Sequence, residues 1–525
     1  MTPADAAHRP QTEPHILPRQ LMRLISLPFL LSLLAGAGTV FAFAPFGYWQ
    51  IQIASLALLF ILAQRAKSSK ASFRLGWVFG TASIAAGTHW LYVSLHDFGG
   101  MPSWMASLAV FLLAASLGLI YGFALGLAKR ITIILQWPTT LLLLMPFCWM
   151  LADWTRGWIF TGFPWLVTGY AHNISPLSGY APLIGVFGIG LLANVLAGCI
   201  ALIILLRRPQ WVAVALLVVI PLGGNALKDQ QWAAPLGQPI SVRLLQGNVP
   251  QEMKFEPTQI QASLALYREM ITEKPADLIA TPETALPLLS NQLPPDYLDR
   301  LSVFAKEKNS RLLIGAPWST APGIYLNSVI GIGNGVGYRY DKHHLVPFGE
   351  FIPIGFRWFV DMMHMPLGDF GRGDLHQPAF HVKDQWVLPN ICYEDLFGEE
   401  IAAQLLAASD RHAPVPSVLL NVSNIAWFGD TIALPQHLQI SQMRSLESAR
   451  PMLRATNTGA TAVIDHRGEV VAQLPPFTQA SLEASVQGTQ GLTPYVRIGN
   501  ILPVGLAALV VALLWLRSRG RSVYD

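Results

Sequence analysis

The sequence predicts a two-part molecule: a multi-pass α-helical membrane domain of about eight transmembrane helices, and an extracytoplasmic α/β domain inserted before the last of them. Three observations carry this. Hydrophobic residues make up 52% of the 525-residue chain and charged residues 13%, and the mean hydropathy is +0.41, too apolar for a water-soluble protein of this size. Basic residues recur in every second loop between apolar runs. Most of the acidic residues and prolines fall between residues 225 and 497, where short β-rich runs alternate with helical stretches.

Apolar runs long enough to cross a bilayer occupy residues 21–40, 49–64, 73–95, 104–128, 131–152, 182–206, 209–224 and 499–517. The second and seventh are short, so a count of six or seven also fits. Arg19 and Arg23 precede the first run, and Arg65, Lys67, Lys70 and Arg74 follow the second. Lys129 and Arg130 follow the fourth, Arg207 and Arg208 the sixth, and Arg517, Arg519 and Arg521 the eighth. The positive-inside rule then places both termini in the cytoplasm and the long insert on the opposite side. The expected organisation is an N-terminal membrane domain of about seven helices over 1–224, an extracytoplasmic domain over 225–497, and a C-terminal transmembrane helix with a basic tail over 498–525. The first run also has the basic start, apolar middle and small residues near Ala42 to Ala44 of a signal peptide. Its removal would leave the later topology intact, because four further basic loops define it. The net charge of +4 comes from these loops rather than from a basic stripe, which argues against a nucleic-acid partner.

Within the insert, Ser241 to Leu245, Leu278 to Thr281, Leu312 to Gly315, Ser328 to Ile332, Val387 to Ile391 and Val418 to Asn421 read as strands. Thr258 to Thr272, Tyr297 to Lys308, Glu399 to Ala408 and Leu438 to Ala449 read as helices between them. Such alternation predicts strands covered by helices in layers. Several strands run into polar residues: Pro282-Glu283-Thr284, Cys392, and Asn421-Val422-Ser423-Asn424. The ends of strands are where an open α/β sheet meets its ligands.

Of three cysteines, Cys148 and Cys199 lie inside apolar runs and read as packing residues. Cys392 stands alone in the insert, where an oxidising compartment makes a thiol without a disulfide partner a candidate reagent. A cysteine attacks as thiolate and needs a base or a cation beside it. Glu283 and Lys342 are available in strand-terminal contexts, although spacing alone would read them as a surface charge pair.

The motifs go further. Leu245-Gln246-Gly247-Asn248-Val249-Pro250-Gln251, Thr281-Pro282-Glu283-Thr284, Lys342-His343-His344-Leu345-Val346-Pro347-Phe348-Gly349-Glu350-Phe351, Ile391-Cys392-Tyr393-Glu394, Asn424-Ile425-Ala426-Trp427-Phe428-Gly429 and Arg454-Ala455-Thr456-Asn457-Thr458-Gly459 occur in that order, with Gly162-Phe163-Pro164-Trp165 in the membrane part. In this the chain resembles the nitrilase superfamily, and more closely its membrane-integrated branch, the bacterial apolipoprotein N-acyltransferases, over essentially its whole length. Asp153 departs from the Glu expected before Arg156-Gly157-Trp158, and Ala460-Thr461 from the more usual Ile-Ser.

The resemblance implies a nitrilase-like α-β-β-α sandwich in the periplasm of a bacterium, anchored in the inner membrane. It implies that Glu283 is the general base, Lys342 the oxyanion partner and Cys392 the nucleophile that carries an acyl group as a thioester. Glu350 would orient Lys342 or assist proton transfer, and Tyr393 and Glu394 would shape the nucleophile's pocket. The implied donor is a phospholipid such as phosphatidylethanolamine, and the implied acceptor is the N-terminal amine of an S-diacylglyceryl-cysteine apolipoprotein. No cofactor and no metal are implied, and His343 and His344 lack zinc spacing and read as hydrogen-bonding residues.

The stretch from Phe348 to Phe370 is apolar and punctuated by glycine. With Phe348, Phe351, Trp358, Phe359, Met362 and Met363 it is expected to form a lid that meets acyl chains, with Trp427 as a further candidate acyl contact. A membrane-tethered amidohydrolase of the same superfamily would share the triad but take water as acceptor. A transporter would need charges deep in several spans or an inverted repeat, and neither is evident.

Overall fold

The computed structural model describes residues 26–132, 135–251, 257–321, 323–335, 337–353, 355, 357 and 370–521. Helices Leu27–Gly38, Trp49–Arg65, Ser69–Gly87, Ser103–Ile131, Met145–Arg156, Ala181–Leu206, Trp211–Lys228 and Ile501–Arg521 fall on the eight apolar runs. Four segments are long and apolar enough to cross a membrane: Ser103–Ile131, Pro176–Leu206, Trp211–Lys228 and Ile501–Arg519. The other four fall short for legible reasons. Leu27–Gly38 and Trp49–Arg65 have 12 and 17 residues. Ser69–Gly87 begins with polar residues and ends eight residues before the expected run does. Pro138 and Pro146 divide the run 131–152 into a short turn, a widened turn over Thr140–Leu144 and the 12-residue helix Met145–Arg156, since proline cannot donate to the preceding turn. Glycines let the helices approach closely. A Cβ on Gly76 would press on the Tyr121 backbone across the contact between Ser69–Gly87 and Ser103–Ile131.

All six expected strands form, and the four expected helices appear as Pro257–Glu273, Tyr297–Glu307, Gly398–Asp410 and Ala433–Ser448. One six-stranded sheet runs in the order Ala480–Val486, Ile240–Gln246, Leu278–Ala280, Arg311–Ala321, Ile324–Ile332, Tyr338–Asp341, with the second, third and fourth parallel. The other runs Val470–Gln473, Ala462–Ile464, Met452–Thr456, Val418–Ser423, Gln385–Ile391, Phe380–Val382, with the third to fifth parallel. Strand alternation sorts side chains onto two faces. Ile240, Val242 and Leu244 meet Val387, Leu419 and Met452 in the core between the sheets, while Leu245, Ile279 and Leu312 pack under helices Pro257–Glu273 and Tyr297–Glu307. The layering is therefore α-β-β-α.

The second outer layer is unusual. Helix Ala433–Ser448 is buried along most of its length although half of it is polar, because it is wedged between the second sheet and the apolar helical domain. Polar contacts replace an apolar stripe. Gln436 Oε1 accepts from Trp90 Nε1 at 3.2 Å and Trp165 Nε1 at 2.8 Å, and Glu447 Oε1 accepts from the Val186 N–H at 2.8 Å. Val186 follows Gly185, whose φ of +62° breaks helix Ala181–Leu206, so Glu447 caps the freed turn of that helix.

Candidate active site

Glu283 sits in the turn that follows strand Leu278–Ala280. Gly315 makes room for it, since a Cβ there would overlap the Pro282 carbonyl. Its Oε1 accepts from Asn327 Nδ2 at 2.7 Å and lies 3.3 Å from Lys342 Nζ, and its Oε2 accepts from the Asn424 N–H at 2.9 Å. Lys342 follows strand Tyr338–Asp341, is 1% exposed, and donates to Glu350 at 2.9 Å. Glu350 accepts from Asn327 Nδ2 at 2.7 Å and from the Val346 N–H at 2.9 Å, which also fixes the turn carrying Phe348. Asn327 thus gives one amide proton to each carboxylate, holding two like charges around one ammonium. Burial alone would lower the Lys342 ammonium, but Glu350 and then Glu283 overcompensate and raise it, so it stays cationic.

Strand Gln385–Ile391 delivers Cys392 in a left-handed conformation (φ +53°) at the head of a tight turn, Cys392–Leu396. Such a φ is sparse for a residue with a Cβ and concentrates at functional sites. Cys392 is partly buried. Burial first, and then the Glu283 charge, push its thiol up to about 12, against the lowering influence of Lys342. At neutral pH the resting group is a thiol, so attack requires a base at the moment of reaction.

Glu394 ties the two limbs together. Its Oε1 accepts from the N–H groups of His343 (2.7 Å) and His344 (3.2 Å), and its Oε2 from the Ile391 N–H (2.6 Å) and the Tyr340 hydroxyl (3.0 Å). Burial, the largest influence, raises it to about 7. The Tyr393 hydroxyl donates to the Gly162 carbonyl of the helical domain at 2.7 Å. Below the turn, Asp395 pairs with Arg454 at 3.1 Å and His437 Nε2 at 2.9 Å, all three almost fully buried. His437 stacks on Trp165 with ring centroids 5.6 Å apart.

The structure therefore brings Glu283, Lys342, Glu350, Cys392, Tyr393 and Glu394 into one cluster. Phe348 and Phe351 lie in the turn beside Glu350, joined by the Phe348 N–H to Phe351 O bond at 2.9 Å. Trp427 is partly exposed and meets Phe98 of the helical domain edge-on, 5.8 Å between centroids. Trp358, Phe359, Met362 and Met363 lie outside the described residues. Asp153 and Arg156 are buried at the end of helix Met145–Arg156, with Asp153 bonded to Tyr121 and to the Thr168 N–H. His343 Nδ1 bonds the Gly373 carbonyl at 2.8 Å. Among the described residues no group of three or more His, Cys, Asp or Glu side chains is placed to hold a metal ion. Sequence reasoning missed Asn327, whose signal was a lone amide inside the apolar run Leu326 to Ile330, and the Asp395–His437–Arg454 network, whose members are spread along the chain.

Comparison with known proteins places the whole chain in one family. Residues 35–199 match the apolipoprotein N-acyltransferase N-terminal domain, and residues 241–495 match the carbon-nitrogen hydrolase family. The apolipoprotein N-acyltransferase of Ralstonia nicotianae is 50% identical over 93% of this chain and 93% of its own. Those of Nitrosomonas europaea and Bordetella bronchiseptica are 44% and 40% identical, covering 91% and 93% of this chain and 94% and 96% of theirs. The chain belongs to the apolipoprotein N-acyltransferase family.

Proposed function

We propose that this protein is an inner-membrane N-acyltransferase that moves a fatty acyl chain from a phospholipid to the N-terminal amine of an S-diacylglyceryl-cysteine apolipoprotein, through a thioester on Cys392. The observation that carries the reading is the Lys342 ammonium held between Glu283 and Glu350 at 3.3 and 2.9 Å, with Cys392 presented at the end of its strand in a left-handed conformation.

Glu283 accepts the thiol proton as Sγ attacks the ester carbonyl of the phospholipid. Lys342 stabilises the oxyanion of the tetrahedral intermediate. Collapse breaks the ester bond, the lysophospholipid alkoxide takes the proton from Glu283, and the acyl group remains on sulfur. The amine of the second substrate then attacks the thioester, Glu283 takes its proton, and the returning Cys392 sulfur recovers it as the amide forms. Glu350 and Asn327 hold Lys342 and Glu283 in register throughout.

An extended apolar helical domain favours lipid substrates over a soluble amide, since a tether needs one span. Eight spans with both termini cytoplasmic would set the catalytic domain on the periplasmic face, where both lipid substrates share a leaflet. The turn carrying Phe348 and Phe351 would face the acyl chain, and Trp427 would line its approach. Intact-mass analysis of protein incubated with phospholipid alone tests the donor half: a hydroxylamine-sensitive acyl adduct on Cys392, absent in Cys392→Ser, is expected, and an unmodified Cys392 during turnover would refute it.

A further inference from the structure

The tight turn Ile159–Thr161 and Gly162 of the helical domain reach the catalytic cluster from outside the α/β fold. Phe160, Thr161 and Gly162 have φ of +52°, +76° and +89°, and a Cβ on Gly162 would overlap the Gly157 carbonyl. Two non-glycine residues in succession at such angles persist only where their surroundings over-determine them. The surroundings here are two side chains of the α/β domain. Tyr393, next to the nucleophile, donates to the Gly162 carbonyl at 2.7 Å, and His344, two residues after Lys342, has Nε2 at 2.8 Å from the Thr161 carbonyl.

His344 is held on every side. Its Nδ1 lies 2.8 Å from Glu400 Oε1, its ring stacks on Phe397 with centroids 3.5 Å apart and planes 14° off parallel, and its own N–H donates to Glu394. Both ring nitrogens face oxygen acceptors, a carboxylate and a carbonyl. His344 therefore belongs to neither domain alone: it joins the lysine limb, helix Gly398–Asp410 and a strained turn of the helical domain.

We propose that His344 is a positioning residue for acyl transfer, which registers the Lys342 limb against the Ile159–Gly162 region so that ammonium and Cys392 hold their relative placement. Removing its hydrogen bonds leaves the fold and the substrate sites in place but lets the lysine limb move relative to the nucleophile. The inference rests on the thioester reading of Cys392.

The test uses full-length protein in detergent, with phospholipid as acyl donor, comparing the parent with His344→Phe and His344→Gln. Phenylalanine keeps the stack on Phe397 and loses both hydrogen bonds, and glutamine restores one donor. The expected result is a fall of at least about tenfold in the Cys392 acylation rate constant for His344→Phe, the loss of the bond to the Glu400 carboxylate alone being worth that much, with KM for phospholipid within about twofold. His344→Gln should lie between the two. A merely space-filling role predicts the opposite, parent-like acylation in His344→Phe, and that result overturns the proposal. Should His344→Phe fail to accumulate in membranes, Glu400→Gln weakens the same clamp from its other side, and parent-like acylation in that variant overturns the proposal equally. Absence of any adduct in the parent would instead sink the thioester reading.

Discussion

Glu394→Gln is a one-atom change whose effect follows from four donors. The carboxylate accepts from His343, His344, Ile391 and Tyr340, two donors to each oxygen. An amide offers one acceptor. In the least costly orientation the NH2 takes the place of Oε2, where the Tyr340 hydroxyl can turn and accept, but the Ile391 N–H faces a second donor. One hydrogen bond to a charged group is lost, worth about 1.5–3 kcal/mol, and a buried N–H is stranded one residue before Cys392. At about 1.4 kcal/mol per factor of ten, single-turnover acylation of Cys392, followed by quenched-flow and intact mass, should slow by roughly ten- to a hundredfold. The pH dependence supplies a second readout. Glu394 is raised from 4.5 to about 7 in the fold, so the folded state binds more protons than the unfolded one between those values. Stability from this group is fully present below the unfolded value and is lost as pH rises through about 7. Glu447, raised to about 7 chiefly by burial, adds a slope of the same sign, so Glu394→Gln should flatten the fall of melting temperature with pH without abolishing it. Parent-like acylation together with an unchanged pH slope would refute the reasoning.

Three further outcomes can be checked alongside. Asn327→Leu removes the amide that bonds Glu283 and Glu350 at 2.7 Å each, and acylation should drop by at least about a hundredfold, the lower end expected for two hydrogen bonds to charged groups, with Cys392 still present and unmodified by mass. Gly315→Ala places a methyl group against the Pro282 carbonyl, and should destabilise by about 1–3 kcal/mol and depress acylation, read as a lower melting temperature and a slower burst. Glu447→Ala leaves Arg444, its partner at 3.1 Å, buried without its counter-charge and uncaps Val186, so a loss of about 3–5 kcal/mol is expected in a thermal or denaturant melt.

The central strands were legible because parallel strands buried on both faces read as continuous apolar runs: Leu278 to Ala280 and Val418 to Leu420 leave little choice of structure. Strands at or near the edges were not. Tyr338–Asp341 and Val470–Gln473 have four residues each, too few for an apolar run or a periodic signal to stand out. The wedge helix Ala433–Ser448 was placed but its burial was not foreseen, because Gln436 and Glu447 bond to Trp165 and Val186 of the helical domain while His437 and Arg444 pair with Asp395 and Glu447 within the α/β domain. Glu283, Lys342 and Cys392 were proposed from ordered motifs rather than spacing, and the fold brings them together. Asn327 was not, since one amide in a strand carries no pattern until the fold sets two carboxylates on it. The apolar helices were legible as hydrophobic runs, whereas Pro138 and Pro146 reshaped one run into turns that hydropathy alone averages away.

The central claim is transfer through sulfur to an amine. Purified protein loaded from phospholipid bearing a labelled sn-1 chain, freed of donor and then given a peptide ending in S-diacylglyceryl-cysteine, tests it in one chase. The label should leave Cys392 and appear on the peptide as a hydroxylamine-stable amide, faster than it appears as free fatty acid. Label lost only to water would contradict the acyl-transfer account and favour a membrane-bound hydrolase.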